Sequence, residues 1–376
     1  MNLSEYPLTI QVIIAVFAGS FILQLIYWWL IHARLIFHRP SSSRIRRFPV
    51  SIVICAKNEE ENLRNNLPLV LEQDYPEYEV IVVNDASGDK SDDVLRDLKK
   101  KYPHLRTSNI KENIHIRRGK KLALTVGIKA ARHDWLLLTD ADCFPAGKNW
   151  LSTMQSSFSK ECGIVLGYGG YRRTKGLLNL VIRYDAFFIA LQYFGYALAG
   201  FPYMGVGRNL AYRRELFFRN KGFATHYELV SGDDDLFINE VARKRGTRIE
   251  IRNESHTSSE SKRTWKEWYY QKKRHLTTGP RYRLVTKFLL GTELLSRLLF
   301  YTSFVILLCF QFMLPWILGI FLVRMLSTII IIKLAMTRLN EKYLLLISPL
   351  MDFALPLANI YMVFSNYVAL KRSRWS

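Results

Sequence analysis

The sequence predicts an α/β domain with a doubly wound parallel sheet, flanked by transmembrane helices. Short apolar runs at 48–55, 78–83 and 135–140 alternate with helical segments, which is the pattern of a parallel sheet covered by helices. Long apolar stretches lie near both ends, at 8–31 and within 294–370, and about 20 such residues suffice to span a bilayer.

The chain is strongly basic. Lys and Arg outnumber Asp and Glu by 53 to 32 among 376 residues, a net charge of +21, which suits nucleic acid, an anionic membrane or phosphorylated substrates. The apolar stretches favour inner-leaflet lipids as the partner of this charge, so we expect no nucleic-acid partner. The four cysteines lack metal-site or redox spacing, which predicts reduced thiols in a domain that faces the cytosol.

Residues 8–31 predict a membrane anchor. A signal peptide is the alternative, but no basic residue precedes the run and no small-residue cleavage site follows it. Five arginines come after it, at Arg34, Arg39, Arg44, Arg46 and Arg47. The positive-inside rule therefore predicts an external N-terminus and a cytoplasmic α/β domain. The Pro-Ser-Ser-Ser segment at 40–43 is typical of a linker.

The strand predicted at 135–140 ends in Asp140, and Asp142 follows two residues later. Ligands bind beyond the carboxyl ends of strands in open α/β sheets. Mg²⁺ or Mn²⁺ prefers oxygen ligands such as these carboxylates. The alternative is a solvated Asp-x-Asp turn with no ligand.

Helices are predicted at 59–72, near 91–101 and at 119–132. The second predicted strand runs into a polar turn at 84–89 that contains Asp85. An aspartate after a strand is also common as a turn or helix-capping residue, so both roles remain open for Asp85.

Five short motifs occur in a fixed order. They are Val-Asn-Asp-Ala-Ser-Gly-Asp at 83–89, Gly-Lys at 119–120, Thr-Asp-Ala-Asp at 139–142, Ser-Gly-Asp-Asp-Asp-Leu at 231–236 and Gln-Lys-Lys-Arg-His at 271–275. Together they resemble a membrane-bound family 2 glycosyltransferase of GT-A fold, in the branch with cellulose, hyaluronan and ceramide-glucosyl synthases. The resemblance covers roughly 48–280, and His275 replaces the Trp that usually ends the Q-x-x-R-W motif.

The resemblance implies inverting transfer of a sugar from a nucleotide-diphosphate sugar to a lipid-linked or polysaccharide acceptor. It assigns the metal, Mg²⁺ or Mn²⁺, chiefly to Asp142, with Asp140 beside it and near the sugar or ribose. It places five further residues at the donor, namely Ala56, Asn58, Glu59, Asp85 and Lys120.

The resemblance also supplies a general base. It matches Asp233 to the catalytic aspartate, and a register shifted by one residue would give Asp234 instead. An acidic helix start is the structural alternative, because the helix dipole favours carboxylates there. The acceptor and diphosphate positions that the resemblance implies are Gly207, Asn209, Gln271, Arg274 and His275.

Residues 177–204 are unusually apolar and aromatic. One membrane crossing here would put Asp142 and Asp233 on opposite sides, so we expect an interfacial or buried helix. It would form either a wall of the acceptor site or part of the core. Farther on, 294–310 and 315–334 predict two spans, with Arg324 as a polar insertion, and 343–370 predicts one kinked span or a re-entrant hairpin.

These predictions divide the chain into an anchor with its basic flank (1–38), a GT-A domain with interfacial helices (39–290) and a C-terminal membrane region (291–376). They imply an integral protein of the bacterial inner membrane. The competing function is a catalytically inactive, glycosyltransferase-like scaffold subunit, and the oligomeric state is left open.

Overall fold

The structure, a computed structural model, describes residues 7–40, 47–110 and 119–372. They fall into two compact units, an α/β unit at Arg39–Arg281 and a helical unit that combines Met1–His38 with Tyr282–Ser376. Most of the predicted linker lies outside the described residues, as do Arg44 and Arg46.

Ten strands and thirteen α-helices are found in the described parts of the chain. The strands are β1 (Val50–Ala56), β2 (Tyr78–Asp85), β3 (Leu105–Ile110), β4 (Trp135–Asp140), β5 (Cys143–Pro145), β6 (Ile164–Leu166), β7 (Gly169–Tyr171), β8 (Leu210–Arg213), β9 (Thr247–Ile249) and β10 (Thr257–Ser259). The helices are α1 (Leu8–Ile26), α2 (Arg34–Phe37), α3 (Glu60–Leu71), α4 (Ser91–Lys101), α5 (Lys120–Ala130), α6 (Trp150–Gln155), α7 (Leu177–Ala199), α8 (Arg214–Arg219), α9 (Asp235–Val241), α10 (Trp265–His275), α11 (Leu284–Cys309), α12 (Leu314–Arg338) and α13 (Ser348–Arg372).

The main sheet of the α/β unit has seven strands in the order β3-β2-β1-β4-β8-β6-β9. The first four strands in this order are parallel, and β8 runs antiparallel to β4. The predicted α/β class is therefore confirmed, with an antiparallel strand added beyond β4. The edge strand β3 was not predicted, because its sequence Leu-Arg-Thr-Ser-Asn-Ile is mostly polar.

The central strands are buried on both faces, as in other parallel sheets. Trp135 of β4 stacks on Phe158, with ring centroids 3.8 Å apart. On the other face, α5 approaches β1 at Gly127, where an added Cβ would lie only 2.5 Å from Cγ1 of Val53. This close approach fixes α5, whose first residue is Lys120, against the strands that end at the site.

Helix α7 is one of four segments long and apolar enough to span a membrane; the others are Leu8–Phe37, Leu284–Cys309 and Leu314–Arg338. In α7, however, 61% of the apolar window is buried inside the protein, against 17–33% in the other three. The Tyr193 hydroxyl of α7 donates to the carbonyl of Gly167, 2.8 Å away. Of the two predicted alternatives, an interfacial or a buried helix, the structure favours the buried one.

The helical unit contains α1, α11, α12 and α13. Helix α1 continues through a π-helical segment, Tyr27–His32, and packs on α11, where Phe17 stacks on Phe300 with centroids 5.1 Å apart. Helix α11 begins at Leu284, ahead of the predicted boundary at 290. Helix α13 is continuous across Pro356, so the hairpin alternative for 343–370 is wrong.

Arg324, the predicted polar insertion, is fully buried within this unit. It forms an ion pair with Asp352, and its Nη2 donates to Oε1 of Gln24 at 2.8 Å. Asp352 also pairs with Arg297 (3.3 Å), which in turn pairs with Glu293. Two cations and two anions thus neutralise each other among the helices.

Candidate active site

The parallel strands bring the predicted donor residues to one edge of the sheet. Ala56 ends β1, Asp85 ends β2 and Asp140 ends β4, with Ala56 paired to Asn84 and Cys55 paired to Asp140. Since carboxyl ends of parallel strands share an edge, residues distant in sequence become neighbours here. The site is built on rigid strands rather than on long loops.

Asp140, Asp142 and Cys143 form the metal-binding candidate at this edge. One potential ligand atom from each lies within 4.8 Å of the other two. Burial, and then the charge of Asp140, raise the pKa of Asp142. Two partly exposed carboxylates that repel each other fit a hard divalent cation, whereas the buried Cys143 thiol donates to Oδ1 of Asp142 (3.5 Å).

Lys120, at the start of α5, connects this cluster to the second carboxylate group. Its Nζ lies 2.8 Å from Oδ1 of Asp140 and 3.0 Å from Oδ2 of Asp233. Burial disfavours the ammonium, but Asp140 and Asp233 outweigh it and raise the pKa of Lys120. Two carboxylates that lie 93 residues apart in sequence therefore share one cation.

The aspartate run precedes and begins α9. Asp234 is the N-cap, with Oδ1 accepting from the amide of Asp235 (2.8 Å) and Oδ2 from the amide of Gly207 (2.7 Å). Burial, and then the charges of Asp233 and Asp235, raise the pKa of Asp234 to about 7. Burial also acts on Asp233, but Lys120 outweighs it and lowers the pKa of Asp233. The acidic helix start predicted as an alternative is thus present, and it also faces the site.

The turn after β1 is tied to the loop after β2. The amide of Asn58 donates to Oγ of Ser87 (2.9 Å), and the amide of Gly88 donates back to Oδ1 of Asn58 (2.8 Å). Burial, and less strongly Asp142, raise the pKa of Glu59. Asp85 is 3% exposed, and its Oδ1 has no hydrogen-bond partner among the described residues. Leaving a buried carboxylate oxygen unsatisfied is costly, so we expect a hydrogen-bond donor from outside the described residues at this position.

The Gly-Val-Gly-Arg-Asn segment at 205–209 contributes a backbone that lies close to the site and a buried side chain that holds neighbouring loops. A Cβ on Gly207 would lie 3.3 Å from Nζ of Lys120 and 3.4 Å from Oδ2 of Asp234, so the backbone here lies close to both side chains. Asn209, in contrast, is fully buried. Its Nδ2 donates to the carbonyls of Tyr168 (2.9 Å) and Ser255 (2.7 Å). Asn209 holds the loop and does not face the cleft, which corrects its predicted contact with the acceptor or diphosphate.

Helix α10 carries the last predicted group. His275 interacts electrostatically with Asp233; burial and the neighbouring cations Arg274 and Lys272 lower the pKa of this imidazole to about 4. Arg274 is exposed, and Gln271 is half-buried. His275 is exposed as well, and Asp233 acts on it only through electrostatics.

Two cations at the site were not singled out from the sequence. The guanidinium of Arg208 lies over the ring of Tyr171 (4.3 Å) and interacts electrostatically with Asp142. The ammonium of Lys121 donates to the carbonyls of His226 (2.5 Å) and Leu229 (2.9 Å), and so braces the segment before Asp233. Arg208 follows Gly207 and Lys121 follows Lys120 in the sequence, and this proximity to predicted site residues is the signal that could have identified them.

Comparison with known proteins agrees with this architecture. Residues 51–218 match the model of glycosyl transferase family 2. A poly-β-1,6-N-acetyl-D-glucosamine synthase of Staphylococcus epidermidis is 33% identical over 93 residues, 25% of this chain and 21% of the relative. A dolichyl N-acetyl-α-D-glucosaminyl phosphate 3-β-D-2,3-diacetamido-2,3-dideoxy-β-D-glucuronosyltransferase of Methanococcus voltae is 30% identical over 176 residues, 46% of this chain and 50% of the relative.

A further relative is the probable glycosyltransferase YdaM of Bacillus subtilis, 28% identical over 251 residues, 64% of this chain and 57% of the relative. The chain thus spans between about a fifth and three-fifths of the length of these relatives. Among solved structures, the mannosyltransferase PcManGT from Pyrobaculum calidifontis, in complex with GDP-mannose and Mn²⁺, is 21% identical with a TM-score of 0.58, covering 92% of this chain and 99% of that one. The fold and the ordered motifs agree with the family match: residues 51–218 resemble glycosyl transferase family 2, and the chain has the GT-A fold.

Proposed function

We propose that this protein is a membrane-bound, metal-dependent, inverting glycosyltransferase that moves a sugar from a nucleoside-diphosphate sugar to a lipid-linked or polysaccharide acceptor. The observation that carries the proposal is the double contact of Lys120 with Asp140 and Asp233. It joins carboxylates suited to hold a donor with a carboxylate suited to remove a proton from an acceptor. Sugar transfer needs both at one centre.

The donor end rests on chemistry that the side chains already display. Asp142 and Asp140 would hold Mg²⁺ or Mn²⁺, and the bound ion would supply positive charge against the departing diphosphate. The unpartnered oxygen of Asp85 supports a role in accepting a hydrogen bond from the nucleobase. Ala56, Asn58 and Glu59 would line the nucleotide beside it.

Asp233 is the proposed general base, although its pKa is lowered and that of Asp234 is raised. Both oxygens of Asp234 accept from backbone amides, so this carboxylate positions the loop and caps α9. Asp233 is held by the ammonium of a lysine side chain instead. Asp233 is therefore the carboxylate that substrate binding can release.

Donor binding would free Asp233 by drawing Lys120 away from it. A diphosphate beside Asp140 attracts the ammonium more strongly than one carboxylate does, so the Lys120 contact with Asp233 weakens when the donor binds. The pKa of Asp233 then rises. The acceptor hydroxyl passes its proton to Asp233 while its oxygen bonds to the anomeric carbon and the bond from that carbon to the diphosphate oxygen breaks.

The competing function is an inactive scaffold subunit. A scaffold gains no stability from a buried carboxylate oxygen without a partner or from an excess of negative charge at one strand edge. The retained site residues therefore favour an enzyme.

The relatives support the two acceptor classes, because one is named as a polysaccharide synthase and another as a transferase acting on a dolichyl-phosphate-linked sugar. The apolar helices support a membrane location, for which we propose the bacterial inner membrane with a cytoplasmic catalytic unit. A cysteine introduced as Ser42→Cys in a background without exposed native thiols should resist a membrane-impermeant thiol reagent in intact cells. Labelling before lysis would reverse this orientation.

The decisive experiment is a hydrolysis and binding screen of the purified full chain against nucleotide-sugars, including GDP-mannose and UDP-N-acetylglucosamine, with Mg²⁺, Mn²⁺ or EDTA. We expect release of nucleoside diphosphate with at least one donor in the presence of metal, and its loss with EDTA. The matched control is Asp142→Asn. Absence of both binding and turnover across the panel would contradict the proposed function.

A further inference from the structure

The small three-stranded sheet, in the order β5-β10-β7, carries a row of side chains that leads to the metal-binding candidate. Ser259 of β10 pairs with Cys143 of β5 on one side and with Tyr171 of β7 on the other. Directly paired residues project to the same face of a sheet, and neighbouring strands lie about 5 Å apart. Tyr171, Ser259 and Cys143 therefore form one row, and the Cys143 thiol extends it to Oδ1 of Asp142, 3.5 Å away.

The guanidinium of Arg208 lies over this row. Its carbon is 4.3 Å from the centre of the Tyr171 ring, and its Nη1 donates to Oγ of Ser259 at 3.3 Å. Nη1 also donates to the carbonyl of Gly170 at 3.2 Å. Contacts with two of the three members of the row place the guanidinium on the face that carries the Cys143 thiol.

The backbone of Arg208 is fixed at the same place. Its carbonyl accepts from the hydroxyls of Thr139 (3.0 Å) and Thr257 (2.9 Å), and Thr139 directly precedes Asp140. A Cβ on Gly169 would lie 3.0 Å from Cβ of Arg208 and 3.5 Å from its Nε, so this glycine leaves space for the side chain. Arg208 is therefore anchored both to the strand that ends in Asp140 and to the small sheet.

The positive charge of Arg208 is not neutralised by a carboxylate contact. Lys120 forms ion pairs with Asp140 and Asp233, whereas Arg208 forms no ion pair among the described residues. Within the described part of the chain, its hydrogen bonds come from Nη1 and leave Nη2 and Nε without an acceptor. A guanidinium has five donors in a planar fork that matches phosphate oxygens. The remaining donors suit a phosphate group beside the metal-binding pair.

We propose that Arg208 binds the diphosphate of the donor and stabilises the negative charge that the diphosphate gains as the sugar leaves. The inference rests on the proposed function and adds to the donor site a residue that the sequence motifs did not identify. The electron pair of the broken bond stays on the diphosphate oxygen, and Arg208 donates to the diphosphate from the side of the small sheet. The competing role is structural, in which Arg208 only ties β7 to β10.

The test measures nucleotide binding to the purified full chain with Mn²⁺ by calorimetry, using GDP and UDP beside GMP and UMP. Arg208→Gln should weaken binding of the diphosphate that the wild type binds by about tenfold or more, the usual loss for a charge-assisted hydrogen bond. Binding of the corresponding monophosphate should change by no more than about threefold, because it lacks the terminal phosphate. With the matching nucleotide-sugar, kcat should fall by about 10²-fold, as on removal of a donor to a developing charge.

Two further variants serve as controls. Arg208→Lys keeps the charge but loses the fork, so its affinity for the diphosphate should lie between those of the wild type and Arg208→Gln. Arg213→Gln changes a matched arginine that also lies over an aromatic ring, Trp135 (5.5 Å), and donates to backbone carbonyls. Arg213 pairs with the first residue of β4, at the opposite end of that strand from Asp140. Arg213→Gln should lower the melting temperature without changing the affinity for either nucleotide.

The outcomes are distinguishable. A folded Arg208→Gln that keeps the wild-type preference for diphosphate over monophosphate overturns the inference, and so does an equal loss for both nucleotides, which the structural role predicts. If Arg208→Gln does not fold, the same preference decides in Arg208→Lys: a reduced preference supports the inference and an unchanged one overturns it. If the wild type binds the diphosphate but turns over no donor, the proposed function fails, and the preference still decides the role of Arg208. If the wild type binds no nucleotide, both fail.

Discussion

The charged clusters of the two units differ in their balance of anions and cations. In the helical unit, Glu293, Arg297, Arg324 and Asp352 balance one another in ion pairs. Among the described residues of the α/β unit, the anions at the strand edge outnumber the nearby cations. The anions are Asp85, Asp140, Asp142, Asp233 and Asp234, and the cations are Lys120 and Arg208. The charges of a balanced cluster neutralise one another, whereas an excess of anions favours binding of a cation or a polar ligand.

The largest expected effect follows from removing an anion from the strand edge of the α/β unit. Asp142→Asn should lower transfer by about 10²-fold or more, because the site loses the carboxylate that fits the metal best. Its melting temperature without metal should stay near or above wild type, since a repulsion with Asp140 is relieved. Parallel transfer and melting assays check both, and unchanged metal-stimulated activity would contradict the metal role.

The second prediction separates the two aspartates near α9. Asp233→Asn should lower transfer by about 10²-fold, the usual contribution of a positioned base, while donor affinity stays within a few-fold of wild type. Asp234→Asn should be milder in transfer. Calorimetric donor binding and turnover distinguish them. An inactive Asp234→Asn beside an active Asp233→Asn would move the base by one residue.

The third prediction tests the ion pairs of the helical unit. Asp352→Asn should destabilise the helical unit by about 3–5 kcal/mol, because it leaves two buried arginines under-compensated. Arg324→Met/Asp352→Leu should recover much of that loss. Turnover per folded molecule should remain near wild type in both. Melting in detergent with matched turnover assays measures this, and a double variant worse than the single one would show that the cluster does more than neutralise itself.

The sequence was sufficient wherever local pattern decides structure. Apolar runs predicted β1, β2 and β4, and the ordered motifs predicted the strand-edge aspartates. It missed β3, whose partners rather than its own residues make it a strand. It also placed Asn209 at the substrate, because no local pattern reveals that Tyr168, Ser255 and Trp150 satisfy its side chain.

The contacts made by Lys120, Arg208 and Lys272 were beyond prediction for a similar reason. Each joins segments that lie far apart in sequence, and the family motifs name residue types without naming partners. Lys272 stands in the variable part of the Q-x-x-R-W pattern, yet its ion pair with Asp185 is buried. Tertiary contacts, rather than spacing, gave these cations their roles.

The smallest expected effect concerns stability as a function of pH. Asp234 has a folded-state pKa of about 7, above its ordinary value of 3.8, so the folded protein binds more protons than the unfolded chain between these values. The contribution of Asp234 is therefore fully present below about pH 4 and is lost as the pH rises through 7.

Asp234→Asn cannot ionise, so its melting temperature should fall less than that of wild type between pH 5 and pH 7.5. The variant also loses acceptor capacity at the amides of Gly207 and Asp235, so its free energy of unfolding at pH 5 should be lower by an amount typical of one hydrogen bond, about 1 kcal/mol. Asp93→Asn, a change at an exposed aspartate of α4, is the matched control and should follow the wild-type pH profile. If Asp234→Asn follows the wild-type profile as well, the contact of Lys120 with Asp233 relieves the repulsion among Asp233, Asp234 and Asp235 in solution. The excess of negative charge is then confined to Asp85 and the metal-binding pair, Asp140 and Asp142.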